Sequence, residues 1–409
     1  MVRPFIGEPA STVIKSIAAP YVQPGQAARF QSKVCQSMMR LVLSFSGGRD
    51  QMAVERAIAE FRTARPVLIE DGENCVLAIG IEDLDDTRAE HLEAVAGGQG
   101  RLVLPSARLR RLGVERTEAG AIALPTIQIA RIATLALTTD ARIDAPVRST
   151  SALDEDALEL ARLALVLPAV LVVPLCRTIE IDPSILRVRS EAIQGYRQAK
   201  VREMKIVSRA PVPLEGATDT EFVVFRGGEG LRDQVAIVVG KPDPAKPVPV
   251  RLHSACLTGD LFGSLKCDCG DQLRQTVRWM AQNEGGILLY LDQEGRGNGI
   301  ANKMHAYKLQ SQGYDTYDAD EVLGFDLDQR RFDFAAEMLR QLDVKHVRLI
   351  TNNPEKIAAL RRAGLEVVSD QRVLGRATVE NVRYLASKRD RAGHFIDFDT
   401  LAALAPNQD

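Results

Sequence analysis

Apolar positions become periodic from about Val54 onward. In VERAIAEFRTA (54–64), Ala57, Ile58 and Phe61 recur at the spacing of one helix face. The runs PVLIED and CVLAIGIE that follow are short and continuous, which predicts two strands. AEHLEAVAGG predicts a helix closed by glycines, and residues 106–113 a short helix that also stops at glycine. ALDEDALELARLA predicts a helix with an acidic first turn, feeding the apolar strand AVLVVPL. Residues 178–202 lose this regularity and read as a charged connector. Beyond Glu203 the pattern resumes. TEFVVFRGG and QVAIVVGKP predict two strands about a glycine-rich turn, and DQLRQTVRWMAQN a helix with Leu273, Val277 and Met280 on one side. GILLYL predicts a buried strand opening into the loop DQEGRGNG. ANKMHAYKLQSQ predicts a helix capped by Gly313, and HVRLIT a strand. Asn353 and Pro354 then open a helix that ends before Gly364.

Helices alternating with strands imply an α/β fold, with mixed α+β sheets. A chain of 409 residues is too long for one average domain, so two are expected. The predicted organisation is an N-terminal extension (1–52), a first domain (53–177), a connector (178–202), a second domain (203–396) and a tail (397–409). The extension holds six Lys/Arg against two acids and is rich in Ser and Ala. That is the look of a transit peptide, although the plainer reading is a poorly ordered extension.

Composition narrows the function classes. A formal charge of −2 gives no sign of a nucleic-acid or anionic-membrane partner. The most apolar run, LALVLPAVLVVPL (163–175), is too short to span a bilayer and contains Pro168 and Pro174. Six cysteines in a chain of this size do not make a disulfide scaffold and favour a reducing, cytosolic compartment.

Three of those cysteines fall within 251–273, as Cys256, Cys267 and Cys269 in C-x10-C-x-C spacing beside His253, Asp260 and Asp268. Sulfur and nitrogen donors this close suggest zinc. Three sulfurs with no fourth ligand would leave a position for water. With His253 as the fourth, the site would be closed and structural. Three unrelated buried cysteines are a further alternative. Gly270 is expected to permit the bend that two cysteines one residue apart require. In QEGRGNG (293–299), glycines let backbone N–H groups approach a ligand and Arg296 offers a fork for phosphate, though glycine-rich turns after strands are common. TNNPEK places Thr351 and Asn352 at a helix start with Lys356 one turn on, which suits an anion or is a plain cap. Asp328 and Arg330, two apart, form an ordinary salt bridge or a catalytic pair.

These pieces occur in one order. HSACLTGDLFGSLKCDCGDQL, QEGRG, NK-x-x-AY-x-LQ-x-x-GYDT, LGF-x-x-D-x-R, TNNP-x-K and the late YLASKRDRAGH together resemble GTP cyclohydrolase II of riboflavin biosynthesis, over about 205–395. The resemblance implies a catalytic zinc on Cys256, Cys267 and Cys269, with its water attacking C8 of guanine. Two hydrolytic steps then release formate, and pyrophosphate is released as well. It implies Arg330 as nucleophile at the α-phosphorus and Asp328 as proton acceptor. A guanidinium is a poor nucleophile, so phosphate stabilisation explains Arg330 more simply. Tyr307 matches the family's active-site tyrosine. GTP contacts are implied for Arg251, Leu252, His253, Ser254, Ala255, Gln272, Glu294, Gly295, Arg296, Thr316, Thr351 and Lys356. Glu294 would read the guanine edge, and Arg296 and Lys356 would hold phosphates with Mg²⁺ alongside. The family implies a cytoplasmic homodimer with GTP as its small-molecule partner.

Three positions depart from the family: Asp292 for Arg, Asn298 for Ile and Ala301 for Leu. An acid at Asp292 would repel a triphosphate unless a cation pairs with it. That leaves open a paralogue acting on another purine nucleotide or stopping at an intermediate, and beside it a non-catalytic nucleotide-binding scaffold with structural zinc.

Residues 54–176 resemble a degenerate dihydroxybutanone phosphate synthase. The family's acid-rich loop is replaced by DGENCVLAIG and its His-Thr-Glu by Asp154, Glu155 and Asp156, and His91 is the sole histidine of this half. The resemblance implies lost synthase activity and a packing or dimerisation role.

Overall fold

The computed structural model describes residues 48–176, 180–228, 232–326, 330–373, 375, 378 and 381–396. Most of the expected extension and all of the expected tail lie outside the described residues. The last positions of the 1–52 segment are helical, because the first helix opens at Arg49.

The described residues from Arg49 onward form one compact unit built on two sheets. The first lobe contains α1 (Arg49–Arg62), β1 (Val67–Asp71), β2 (Asn74–Gly80), α2 (Asp86–Ala96), β3 (Gly100–Leu104), α3 (Ser106–Arg111), β4 (Gly120–Leu124), α4 (Ile129–Leu137), β5 (Val147–Ser149), α5 (Ala152–Ala164), β6 (Val170–Leu175), β7 (Leu186–Arg189) and α6 (Ser190–Arg202). Its seven strands run in the order β5-β4-β3-β6-β2-β1-β7. Successive side chains of a strand point to opposite faces. Thus Val76 and Ala78 of β2 pack under α1, α5 and α6, while Leu77 and Ile79 pack under α2, α3 and α4.

The second lobe contains β8 (Lys205–Pro211), β9 (Thr220–Arg226), β10 (Asp233–Val239), β11 (Val248–Ser254), α7 (Leu257–Asp260), α8 (Cys269–Gln282), β12 (Gly286–Leu291), a 3₁₀ turn (Glu294–Gly297), α9 (Ile300–Ser311), α10 (Thr316–Val322), α11 (Asp333–Gln341), β13 (His346–Ile350), α12 (Pro354–Arg362), β14 (Glu366–Gln371) and α13 (Val382–Ala392). Its order is β14-β13-β11-β12-β10-β9-β8. α11 and α12 cover one face, and Val277 and Met280 of α8 pack on the other. Strands β13, β11 and β12 are adjacent and parallel, so their C-terminal ends share one edge of the sheet. Ligands of open α/β sheets bind outside such ends.

The expected α/β class with mixed sheets agrees with this architecture. The connector does not. Residues 186–202 are β7, which pairs parallel with β1, and α6, whose Ile193 and Tyr196 enter the first core. Their signal is sparse because β7 is an edge strand and α6 buries only Ser190, Ile193 and Tyr196. Several short elements, β4, β5, β8, β11 and α10 among them, have no counterpart in the sequence reading.

A three-sulfur cleft at the ends of parallel strands

β11 delivers Ser254 to the sheet edge. Ala255 N–H extends the pairing to the Leu291 carbonyl at 2.7 Å, and Cys256 then turns into α7. Asp260 at the end of that short helix accepts from Cys256 N–H at 2.9 Å and fixes the turn. Cys267 and Cys269 return to the same point, with Cys269 opening α8. The three Sγ atoms lie within 4.8 Å of one another, and Cys256 and Cys267 are 3.6 Å apart. Zinc–sulfur bonds of about 2.3 Å in a tetrahedron put sulfurs about 3.8 Å apart, so the trio fits zinc. Close approach makes this convergence possible. A Cβ on Gly259 would stand 2.6 Å from the Cys267 sulfur, and one on Gly270 would stand 2.2 Å from the Gly259 carbonyl. Gly270 therefore acts by lacking a side chain inside α8, not by the backbone freedom expected of it.

The three thiols share charge. Cys256 is held far below the ordinary thiol range by hydrogen bonds from Cys267 and Cys269, with Lys303 adding its charge. The Cys267 thiol is pushed up to about 11, chiefly through its hydrogen bond with Cys256, and Cys269 is raised as well. His253 does not join the sulfurs. Its Nε2 lies 3.0 and 3.1 Å from the two Asp260 oxygens, and Asp260 also accepts from the Tyr290 hydroxyl at 3.1 Å. The closed Cys₃His arrangement is thus not formed.

The sulfurs wall a cleft of about 630 Å³ that is also lined by Ser254, Glu294, Arg296, Lys303, Tyr307 and Arg330. Lys303 Nζ sits 3.2 Å from Cys256 Sγ, 2.8 Å from Glu294 and 3.0 Å from Thr258. Burial works most strongly against its charge, but Cys256, Tyr307 and Glu294 together outweigh that and hold Lys303 protonated. Burial raises the Tyr307 phenol above its ordinary value, so it keeps its proton at neutral pH. Arg296 takes a left-handed conformation (φ +61°), pairs with Asp320 and lies 4.6 Å over the Tyr317 ring.

A second cavity of about 600 Å³ adjoins the first, and Ser254, Cys269, Arg330 and Tyr384 line both. Arg251, Thr351, Lys356 and Lys388 supply its polar wall. Arg251 reaches Gln272 and the Ile350 carbonyl, and burial lowers it to about 10, still protonated at neutral pH. Lys356 Nζ donates to the Leu252 carbonyl at 2.6 Å. Asn353 caps α12 by accepting from Glu355 N–H, as its sequence predicts.

Residues 204–372 match the sequence profile of GTP cyclohydrolase II. A GTP cyclohydrolase-2 of Xylella fastidiosa (strain Temecula1 / ATCC 700964) is 42% identical over 376 residues, covering 87% of this chain and 90% of that protein. The chain belongs to the GTP cyclohydrolase II family. A GTP cyclohydrolase-2 of Vibrio vulnificus (strain CMCP6) is 46% identical over 179 residues, which is 44% of this chain and 90% of that protein. Among solved structures, the two-domain 3,4-dihydroxy-2-butanone 4-phosphate synthase RibBX from A. baumannii aligns with 78% of this chain and 98% of its own, at 15% identity and a TM-score of 0.31.

Within this cyclohydrolase lobe the structure gathers most of the residues singled out from sequence. Ser254, Ala255, Glu294, Gly295, Arg296, Tyr307, Thr316 and Arg330 line the first cavity with the cysteines, and Arg251, His253, Gln272, Thr351 and Lys356 line the second. One assignment changes. The Leu252 side chain is core, and only its carbonyl faces a site residue, Lys356. Glu294 lines the cleft while accepting from Leu257 N–H and pairing with Lys303. Asp328 lies outside the described residues. Asp292 pairs with Arg232 at 3.7 Å and does not line the cleft, which removes the repulsion expected of it. Asn298 is buried in the cleft wall. Sequence reasoning passed over Lys303, Tyr384 and Lys388. Their signal was Lys–Tyr spacing of i,i+4, present in Lys303–Tyr307 and again in Tyr384–Lys388, which puts both partners on one helix face.

Proposed function

We propose that the protein is a zinc-dependent GTP cyclohydrolase II. It opens the imidazole ring of GTP, releases formate and pyrophosphate, and leaves 2,5-diamino-6-ribosylamino-4(3H)-pyrimidinone 5′-phosphate, the first step of riboflavin biosynthesis. One observation carries this reading: three sulfurs in zinc-binding geometry face a cleft shared with Lys303, Tyr307 and Arg330.

Cys256, Cys267 and Cys269 would hold the zinc, which supplies a Lewis acid that makes water nucleophilic at neutral pH. The remaining work falls to the chain. Tyr307, held neutral by burial, donates a proton to ring nitrogen as each C–N bond at C8 breaks. Each of these cleavages takes up one water, and C8 leaves as formate. A third water splits the bond between the α- and β-phosphates. Arg330 lines both cavities, so a nucleotide lying across them brings that bond near its guanidinium, which stabilises the developing phosphate charge. Arg296 serves one end of such a nucleotide and Arg251 and Lys356 the other, with Mg²⁺ accompanying the phosphates. The working unit is a homodimer in the cytosol, a compartment suited to free thiols.

The first lobe has no synthase activity. The acids that stand in place of the synthase family's His-Thr-Glu are bound into structure. Asp154 holds Ser151 and Arg101, Glu155 accepts from Thr150, and Asp156 accepts from Ser190 and Gln194.

Purified full-length protein is assayed for formate and pyrophosphate from GTP, with zinc counted by elemental analysis and removed by chelator. Formate that disappears with zinc and returns on its addition supports the reading. Full activity without zinc, or GTP bound with no formate formed, ends it.

A further inference from the structure

α9 and α10 bring Lys303, Tyr307 and Thr316 to the sulfur cleft, yet their apolar anchoring lies outside the two apolar cores of their own lobe. No residue between 300 and 322 belongs to either apolar core around the second sheet, among the described residues. Their apolar contacts gather in a separate small cluster of Ala306, Ala319, Leu323 and Phe325. The remaining buried member, Leu167, comes from the first lobe.

Polar contacts divide: Lys303 with Glu294, Asp320 with Arg296 and Asp315 with Arg391 tie the pair to their own lobe, and others cross to the first. Asn302 Nδ2 donates to the Leu165 carbonyl at 3.0 Å, and Arg110 pairs with Glu321 at 3.0 Å. At Gly324 (φ +85°) an added Cβ would stand 3.1 Å from Pro105 and 3.3 Å from Pro168, so the lobes meet where only glycine fits.

Arg108 holds the joint. It is 1% exposed, and its partners are carbonyls. Nε donates to Leu135 at 2.7 Å, Nη2 to Thr138 at 2.7 Å and Thr134 at 3.3 Å, and Nη1 to Val322 at 3.0 Å. The first three acceptors close the C-terminal end of α4, and Val322 ends α10. Helix C-termini leave carbonyls without partners and carry the negative end of the dipole. One buried guanidinium therefore satisfies two helix ends, one from each lobe. That use needs a planar fork of five donors, which lysine does not have.

We propose that the first lobe braces the active site, with Arg108 as a positioning residue that fixes α9 and α10, and through them Lys303 and Tyr307, in working position. This rests on the cyclohydrolase reading. The Vibrio vulnificus relative is too short to hold both lobes, so the brace belongs to long chains such as this one and not to the reaction itself.

The test compares full-length Arg108→Met, Arg108→Lys and Leu167→Ala with wild type, assayed well below their unfolding temperatures. Displacing a catalytic group by about an ångström costs on the order of 100-fold, so Arg108→Met is expected to lose at least ~10-fold in kcat with zinc content unchanged. Arg108→Lys recovers part of that loss. In a Tyr307→Phe background the effect of Arg108→Met shrinks, because both act through one group. Hydrogen exchange across 300–322 rises in Arg108→Met. If Arg108→Met fails to fold, Leu167→Ala carries the same expectation for kcat and exchange. The brace is overturned if the folded variants keep kcat within about two-fold of wild type with unchanged exchange. Absence of formate from the wild type instead overturns the cyclohydrolase reading, and exchange across 300–322 still decides the brace.

Discussion

The two lobes are built alike and used differently. Each is a seven-stranded mixed sheet with helices on both faces, and each buries charged side chains. In the first lobe those charges close on structural partners: Asp154 on an N-cap and Arg101, Asp156 on Ser190 and Gln194, Arg108 on helix carbonyls. In the second lobe Cys256, Lys303, Tyr307 and Arg330 turn toward a cavity. Strand direction explains part of the difference. Parallel β13, β11 and β12 send three loops out at one edge, so residues near 254, 292 and 351 meet. The parallel pair of the first sheet, β1–β7, lies at its margin and sends out two neighbouring chain ends where the second sheet sends three. Burying polar groups is therefore not what makes a site. Aiming them into a shared space is.

The strongest way to break this contrast is to empty the sulfur trio. Cys267→Ser is expected to lower zinc content and reduce formate release at least ~1,000-fold, since on the proposed function the metal would supply the activated water. Far-ultraviolet circular dichroism close to that of wild type would show that the sheets survive. Tyr307→Phe comes next, with zinc retained and kcat reduced by ~100- to 1,000-fold, as loss of a positioned proton donor predicts. A Tyr307→Phe enzyme as fast as wild type would remove the phenol from the chemistry. Lys303→Met follows. It removes the partner of Cys256 and Glu294, and if Cys256 holds zinc as proposed, losing that outer partner costs ~10- to 100-fold in metal affinity or activity. Zinc titration of the variant against wild type measures it.

Legibility in the sequence followed the same division. The cysteine spacing, the glycine-rich loop and the Asn353–Pro354 start were readable because each is a local pattern with a local cause. The short α10 was not, since its buried residues Tyr317, Ala319, Asp320 and Val322 include an acid whose place depends on Arg296. Nor was β7, an edge strand whose alternation covers four residues. Arg108 reads as one of three arginines in RLRRL, and only tertiary contact with Val322 sets it apart. The partners of Glu294 were equally hidden, because Leu257 and Lys303 are far apart in sequence.

The smallest expected effect sharpens the contrast from the scaffold side. Asp154 accepts from Ser151 N–H at 2.8 Å in a capping box that opens α5, and its other oxygen lies 2.8 Å from Arg101. Asp154→Ala removes the cap partner and leaves a half-buried arginine without its carboxylate, a loss of about 2 kcal/mol in stability. The α5 start is remote from the Leu165–Pro168 turn that meets α9, so kcat for formate release stays unchanged while the thermal midpoint falls. A drop in kcat of the size seen for Lys303→Met, with the protein still folded, would mean that the first lobe's acids take part in the reaction. Held activity with lowered stability would mean that a remnant of one site has become the frame of another.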